Sequence, residues 1–415
     1  MFVISRHPSR LARRADTLPV SHPKPLRPIN LVISGSLAMN RVKRGQAIDK
    51  EAMVPQLPAH ARTVVAKQQL WHELDMLCRL GVGLAPIAPE VCGALRTLVG
   101  ADAAALFWMD EQGLPAGFFH EDSPASTQNL FLNEFERLFV GARETNVFAL
   151  ARPDGPRVGR LLTPDASYFR SNSYNLLVRA SGHHHVLDMR VEVLGRTRAV
   201  VSLFRAPGAR GFDADNAAVL ERTTAHLARA FARAPTPPWN DSIDSLVGHV
   251  LLDAADRRPV LVDVPARLLL QTANLRGVGL KGGSDAPLPS DIASHLGLRS
   301  DLTDQPIRIP VPHGVLVVKA HLMHPPTGTA GSSAQLLLTL QLQRMRQIDV
   351  VRRIRELPLS PLQREIAALA GLGHARADCT ALTGVGQAAL KKHLRVILDV
   401  AGATDWDSLA RALRA

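Results

Sequence analysis

The stretch LSPLQREIAALAGLGHARADCTALTGVGQAALKKHLRVILDVAGATDWDSLARAL, residues 359–413, carries the most specific pattern in the chain. Ser360 is placed to cap a helix, and Pro361 suits the first helical position. Ile366, Leu369 and Ala370 recur at inward-facing spacing, and Gly373 supplies a C-terminal stop. A short helix is expected from Arg376 to Leu382. Gly384–Val385–Gly386 reads as a tight turn with one apolar plug. A longer helix, Gln387–Val400, follows and stops at Gly402. Asp405 then caps a last helix bearing Leu409 and Leu413.

Short helix, glycine turn and longer helix are the parts of a helix-turn-helix. The longer helix has two faces. Leu390, Leu394, Ile397 and Leu398 form its apolar side. Gln387, Ala388, Lys391 and Arg395 share another face, the one that would enter a major groove, where Arg or Lys pairs with guanine and Gln with adenine. Lys392 sits laterally, suited to a phosphate contact.

These residues resemble the C-terminal DNA-binding domain of LuxR-type regulators. The family's L-(S/T)-x-x-x-x-E-(I/V) opening is matched by Leu359, Ser360, Glu365 and Ile366. Gly373, Gly384 and Val385 follow in place, and K-x-H-L-x-x-I-L is matched by Lys391, His393, Leu394, Ile397 and Leu398, with Gly402 after it. The resemblance puts Lys391 at the basic position of the recognition helix. It gives His393, with Leu394 and Ile397, a helix-packing role. It also implies a cytoplasmic homodimer that binds double-stranded DNA and regulates transcription. The chain departs from the family at Leu362–Gln363 (usually Arg-Glu), Gly386 (Ser), Ala389–Leu390 (Thr-Val), Val400–Ala401 (Lys-Leu) and Asp405–Trp406 (Asn-Arg). Each lost cap or phosphate contact is expected to weaken binding by about 1 kcal/mol.

The charge distribution agrees with such a module. The 415 residues carry a formal net charge of +12. Residues 1–50 hold +8, residues 351–415 hold +4, and the 300 between them are neutral. A surplus confined to the ends argues against a protein that coats nucleic acid along its whole surface. The 3 cysteines are too few and too scattered for a disulfide framework or a four-ligand zinc site. No run approaches the roughly 18 apolar residues of a membrane span. The basic N-terminus lacks the apolar core of an export signal.

Upstream of the terminal module the expected organisation is α+β. Residues 1–62 read as a basic, disordered tail, or as an extension ahead of a start at Met39 or Met53. Within 65–234, helical periodicity at Leu70–Leu80 and Val91–Leu98 precedes a strand at Ala103–Met109. A turn at Asp110–Gly113 and a second strand at Gly117–His120 follow. Leu130–Val140 reads as one amphipathic helix. Strands His184–Val193 and Arg198–Phe204 then precede a helix from Asp213 to Phe231. The segment LDMRVEVLGRTRAVVSLFRAPGARGFDADNAAVLERTTAHLARAF (187–231) resembles the close of a GAF-like sensor domain.

Pro235–Asn240 reads as a stiff boundary. Beyond it, 242–343 offers two strands, a helix and three strands. Its opening, HVLLDAADRRPVLVDVPARLLL (249–270), resembles a PAS-like sensor domain. Residues 344–358 read as a connecting helix, and 359–415 as the all-α helix-turn-helix domain. The expected fold class is therefore two antiparallel-sheet sensor domains followed by helices.

Other chemistry is sparse. His183–His184–His185 is the conspicuous cluster. On a strand, alternate faces would let His183 and His185 share a metal, with Asp188 near, which is the basis for an alternative reading as a metal-dependent hydrolase. Gly277, Gly279, Gly282 and Gly283 read as a loop, not a nucleotide fingerprint. Cys92 reads as core, and Phe107, Trp108, Phe118, Phe119 and Tyr168 as core or pocket aromatics. The sequence implies no enzyme activity, metal or cofactor. It allows a small-molecule signal held between sheet and helices. A second alternative is a sensory adaptor whose C-terminal helices only dimerise.

Overall fold

A computed structural model describes residues 59–110, 113, 115–141, 144–232, 239–240, 246–256, 258–272, 306–324 and 334–414. Residues 1–58 of the tail expected over 1–62, and the loop expected at 277–283, lie outside these residues. The first helix, α1 (Ala59–Arg79), starts inside the expected tail. It is followed by α2 (Ala88–Val99), which ends on Gly100 in the left-handed region at φ 76°.

Strands β1 (Ala103–Met109) and β2 (Pro115–His120) form the expected hairpin. In place of one helix over Leu130–Val140 there are two short ones, α3 (Ala125–Asn133) and α4 (Phe135–Leu138), then α5 (Val147–Ala151). Residues 168–181 wind through tight turns, including a π turn at Ser173–Val178. β3 (His185–Val193) and β4 (Arg196–Arg205) meet through Leu194 and Gly195, both at positive φ, the geometry of a two-residue hairpin. The antiparallel sheet runs β2-β1-β4-β3. Both of its faces are covered, which explains why its strands are apolar throughout. Leu106, Leu187, Met189 and Val201 belong to a core with the flanking helices; Ala105, Val186, Val200 and Phe204 belong to a second core with Phe135 and Phe139.

The helix expected over Asp213–Phe231 is broken. α6 (Ala214–Arg222) starts from a capping box between Asp213 and Asn216. Thr223, fully buried, donates its hydroxyl to Leu220 O at 2.6 Å, and α7 (Thr224–Arg229) resumes after it. Trp239–Asn240, expected as a boundary, is a short strand β5 paired with Met345 and Arg344.

The second sheet is built from β6 (Val247–Asp253), β7 (Pro259–Val262), then after α8 (Val264–Thr272) from β8 (Ile307–Val311), β9 (Gly314–Met323) and β10 (Gln335–Met345). Its order is β7-β6-β10-β9-β8, all antiparallel. β6 alternates in burial, and its inner residues Val250 and Leu252 pack with Leu269 and Leu270 of α8. Asp263 caps α8 by accepting Ala266 N at 2.7 Å. Gly248 lets α8 lie close: a Cβ there would fall 2.3 Å from Ala266 N.

β10 runs two residues past the expected boundary at 343, so Arg344 and Met345 belong to the sheet and the connecting helix is α9 (Arg346–Glu356). No loop separates them. α9 packs on α1 and on the terminal helices α10 (Pro361–Leu372) and α13 (Trp406–Arg414); α11 (Cys379–Thr383) and α12 (Gln387–Ala401) lie between those two in the chain. One continuous core joins Leu74 and Leu95 of the first unit to Ile354, Ile366, Ile397 and Leu409. The fold is mixed α+β with two antiparallel sheets. Among the described residues no helix is long and apolar enough to cross a membrane.

Candidate functional site

The terminal helices are set by local chemistry. Ser360 and Gln363 form a reciprocal capping box, and Ser360 N donates to Gln363 Oε1 at 2.9 Å. Gly373, Gly384 and Gly402 all adopt the left-handed conformation at helix ends. Asp405 Oδ1 accepts Ser408 N at 2.7 Å, and Ser408 Oγ returns the favour to Asp405 N at 2.9 Å. α12 begins without a side-chain cap, at Gly386, as does α11, at Asp378.

On α12, Leu390, Leu394 and Ile397 are buried and His393 is half-buried. Gln387, Ala388, Lys391, Lys392 and Arg395 are all exposed. None of the three cations is paired with a described carboxylate. The result is a basic, unobstructed strip along a helix whose other side is anchored in the core. Arg364, which the sequence pattern did not single out, is buried and donates to Leu359 O at 3.1 Å, tying α10 to the end of α9.

Three ion pairs join this module and α9 to the first unit. Arg352 Nε lies 2.6 Å from Glu90 Oε1, Arg355 Nη1 3.3 Å from Glu73 Oε1, and Arg79 Nη1 3.2 Å from Glu365 Oε1. These partners stand hundreds of residues apart, so no local sequence signal marks them.

Between the first sheet and α3–α5 lies a cavity of about 730 Å³, part of it open to solvent. Its walls include Phe107, Phe118, Phe131, Tyr168 and Phe204, with Thr127 and Gln128 among the polar lining. Phe118 and Phe131 meet edge to face at 4.8 Å. Of the aromatics picked from sequence, Phe107, Phe118 and Tyr168 face this cavity. Trp108 packs on the opposite side of the sheet over Gly117, and Phe119 meets His313 of the second sheet.

The three consecutive histidines diverge. His183 is buried and faces Asp122, with Nε2 3.2 Å from Oδ1. His184 Nδ1 bonds Tyr174 Oη at 2.6 Å. His185 lies against Gly211. The alternative in which His183 and His185 share a metal is therefore not met: the strand begins only at His185, so period-two alternation does not reach His183. Asp188 is not near a ligand set either. It is buried and accepts Leu161 N at 2.6 Å, and burial raises its carboxyl above the ordinary value. His183 instead meets His120 and Asp122, and these are the three described residues placed to hold a metal ion together.

No family model and no curated protein matches the chain. Among solved structures, one described as the sensor region of a sensor histidine kinase is similar at 14% identity, covering 69% of this chain and 90% of that chain, with a TM-score of 0.17. A likeness that slight bears on neither fold nor function.

Proposed function

We propose that this protein is a cytoplasmic, non-enzymatic transcription regulator: a homodimer whose GAF-like and PAS-like units sense a signal and control a LuxR-like helix-turn-helix. The observation that carries the reading is the exposed strip Gln387, Ala388, Lys391, Lys392 and Arg395 on a helix preceded by a short helix and a left-handed glycine turn. Two strands, a helix and three strands over 247–345 support the PAS-like reading. A helix-flanked sheet with an aromatic cavity supports the GAF-like one. The signal would enter the cavity, and the shared core and the α9 ion pairs would carry a change in its packing to α12.

The test is binding of the full chain to genomic DNA fragments across a salt series. Lys391→Ala with Arg395→Ala should lower specific affinity by roughly 100-fold, at about 1–3 kcal/mol per base contact. Unchanged salt-dependent binding would remove the assignment of this face. No affinity for any duplex at low salt would favour the adaptor reading, to which the uncapped start of α12 lends support.

A further inference from the structure

His120 and Asp122 leave the end of β2, and His183 sits just before β3. The chain brings the three together across 61 residues. One carboxylate oxygen, Asp122 Oδ1, stands 3.3 Å from His120 Nδ1 and 3.2 Å from His183 Nε2. All three ligand atoms lie within 4.8 Å of one another. Donors bound tetrahedrally at about 2.0–2.2 Å from a zinc ion stand about 3.3–3.6 Å apart, so one of the three separations, 3.3 Å, falls on that edge and a second, 3.2 Å, just short of it.

The rings are also held. His120 and His183 stack on Phe204, with centroids 5.0 and 5.2 Å away. His183 is nine-tenths buried or more, and its Nδ1 has no hydrogen-bond partner. Among the described residues the ion-pair partners of Asp122 are these two imidazoles and no Lys or Arg. One carboxylate and two neutral imidazoles give a donor set of charge −1, suited to a dication of the borderline class that favours nitrogen with oxygen. Three protein ligands leave a position open, as in zinc sites that accept a further molecule. His120 also lines the aromatic cavity, which places the cluster at its rim.

We propose that His120, Asp122 and His183 form a binding site for one divalent cation of the zinc class at the rim of the cavity. The site stands independently of the DNA-binding reading. The test uses the full chain, stripped with chelator and titrated with Co²⁺, then competed with Zn²⁺. The expected result is a single equivalent of cobalt with the intense visible bands of a tetrahedral N/O site. Asp122→Asn and His183→Ala should each weaken binding by more than about 100-fold, the upper end of the effect of losing even an outer-shell partner. His184→Ala and His185→Ala should leave it unchanged. Absence of stoichiometric cobalt, or full affinity in Asp122→Asn, would overturn the proposal. Asp122 is half-exposed and Asn is isosteric, so that variant decides even where His183→Ala fails to fold.

Discussion

Arg352, on α9, grips the carboxylate of Glu90, on α2, across 262 residues of chain: its Nε lies 2.6 Å from Oε1 and its Nη2 contacts the same oxygen. The Glu90 side chain is 8% exposed. The contact ties the helix that leaves the second sheet to the helices backing the first. Removing Arg352 leaves the Glu90 carboxylate buried without its guanidinium. Arg352→Ala should therefore lower stability by about 3 kcal/mol, the lower end for broken buried pairs, because Arg352 keeps some solvent access. Urea denaturation of the full chain checks this. Early proteolytic release of 346–414 would accompany it.

Gly371 on α10 should resist even the smallest enlargement. A Cβ there would sit 2.4 Å from Val350 Cγ1 and 3.4 Å from Leu413 Cβ. Alanine would gain up to about 1 kcal/mol in helix propensity. Overpacking against a stiff valine costs about 1–3 kcal/mol, so the net change should be destabilising. The double variant Gly371→Ala, Val350→Ala should recover part of the loss in thermal melts.

On the proposed DNA-binding reading, Lys391 and Lys392 should fail in different ways. Lys392→Ala, lateral on α12, should weaken all duplexes alike and reduce the slope of log affinity against log salt by about 1. Lys391→Ala should relax preference at one base position by about 1–3 kcal/mol. Anisotropy titrations with an operator library at several salt concentrations separate the two.

Asp75 makes acid destabilisation local. Against the cost of its burial, the hydrogen bond from His226 and the charges of Arg79 and Arg229 hold its carboxyl below the ordinary value. Arg79 Nε lies 2.9 Å away and His226 Nδ1 2.8 Å. A depressed carboxylate contributes stability above its unfolded value near 3.8, and that contribution is lost as pH falls through the lower folded value. Asp75→Asn should cost about 1–3 kcal/mol at pH 7. The gap to the parent should shrink below about pH 4 in denaturation curves run across pH.

Cys78, Cys92 and Cys379 are all buried. Burial pushes the Cys78 thiol to about 12 and raises the other two. Thiolate being the reactive form, none should label with a disulfide reagent at pH 8 in the native chain, and all three should label in guanidinium.

Much of the local architecture was legible in sequence because it is set by nearest neighbours. Ser360–Pro361, Gly373, Gly384, Gly402 and Asp405 mark helix ends through capping and left-handed geometry. The exposed strip on α12 follows from a period of 3.6 residues. Strand positions follow from apolar runs and from turn residues such as Gly195. Breaks were less visible. Thr223 interrupts a helix only because its buried hydroxyl turns back on Leu220, and the end of β10 depends on pairing with Trp239 and Asn240.

The remaining features belong to the tertiary structure alone. Spacing in the sequence offers His183 only His185, two residues away, as a companion on one strand face, whereas the fold hands it to Asp122 and His120 at the end of another strand. Glu90 and Arg352, or Glu73 and Arg355, have no sequence relation at all. Periodicity and capping are short-range rules and report which face a residue takes. Which distant side chain meets that face is decided by how sheets and helices stack, and in this protein that stacking assembles the cavity, the histidine–aspartate cluster and the joint between the helices backing the first sheet and the terminal helices.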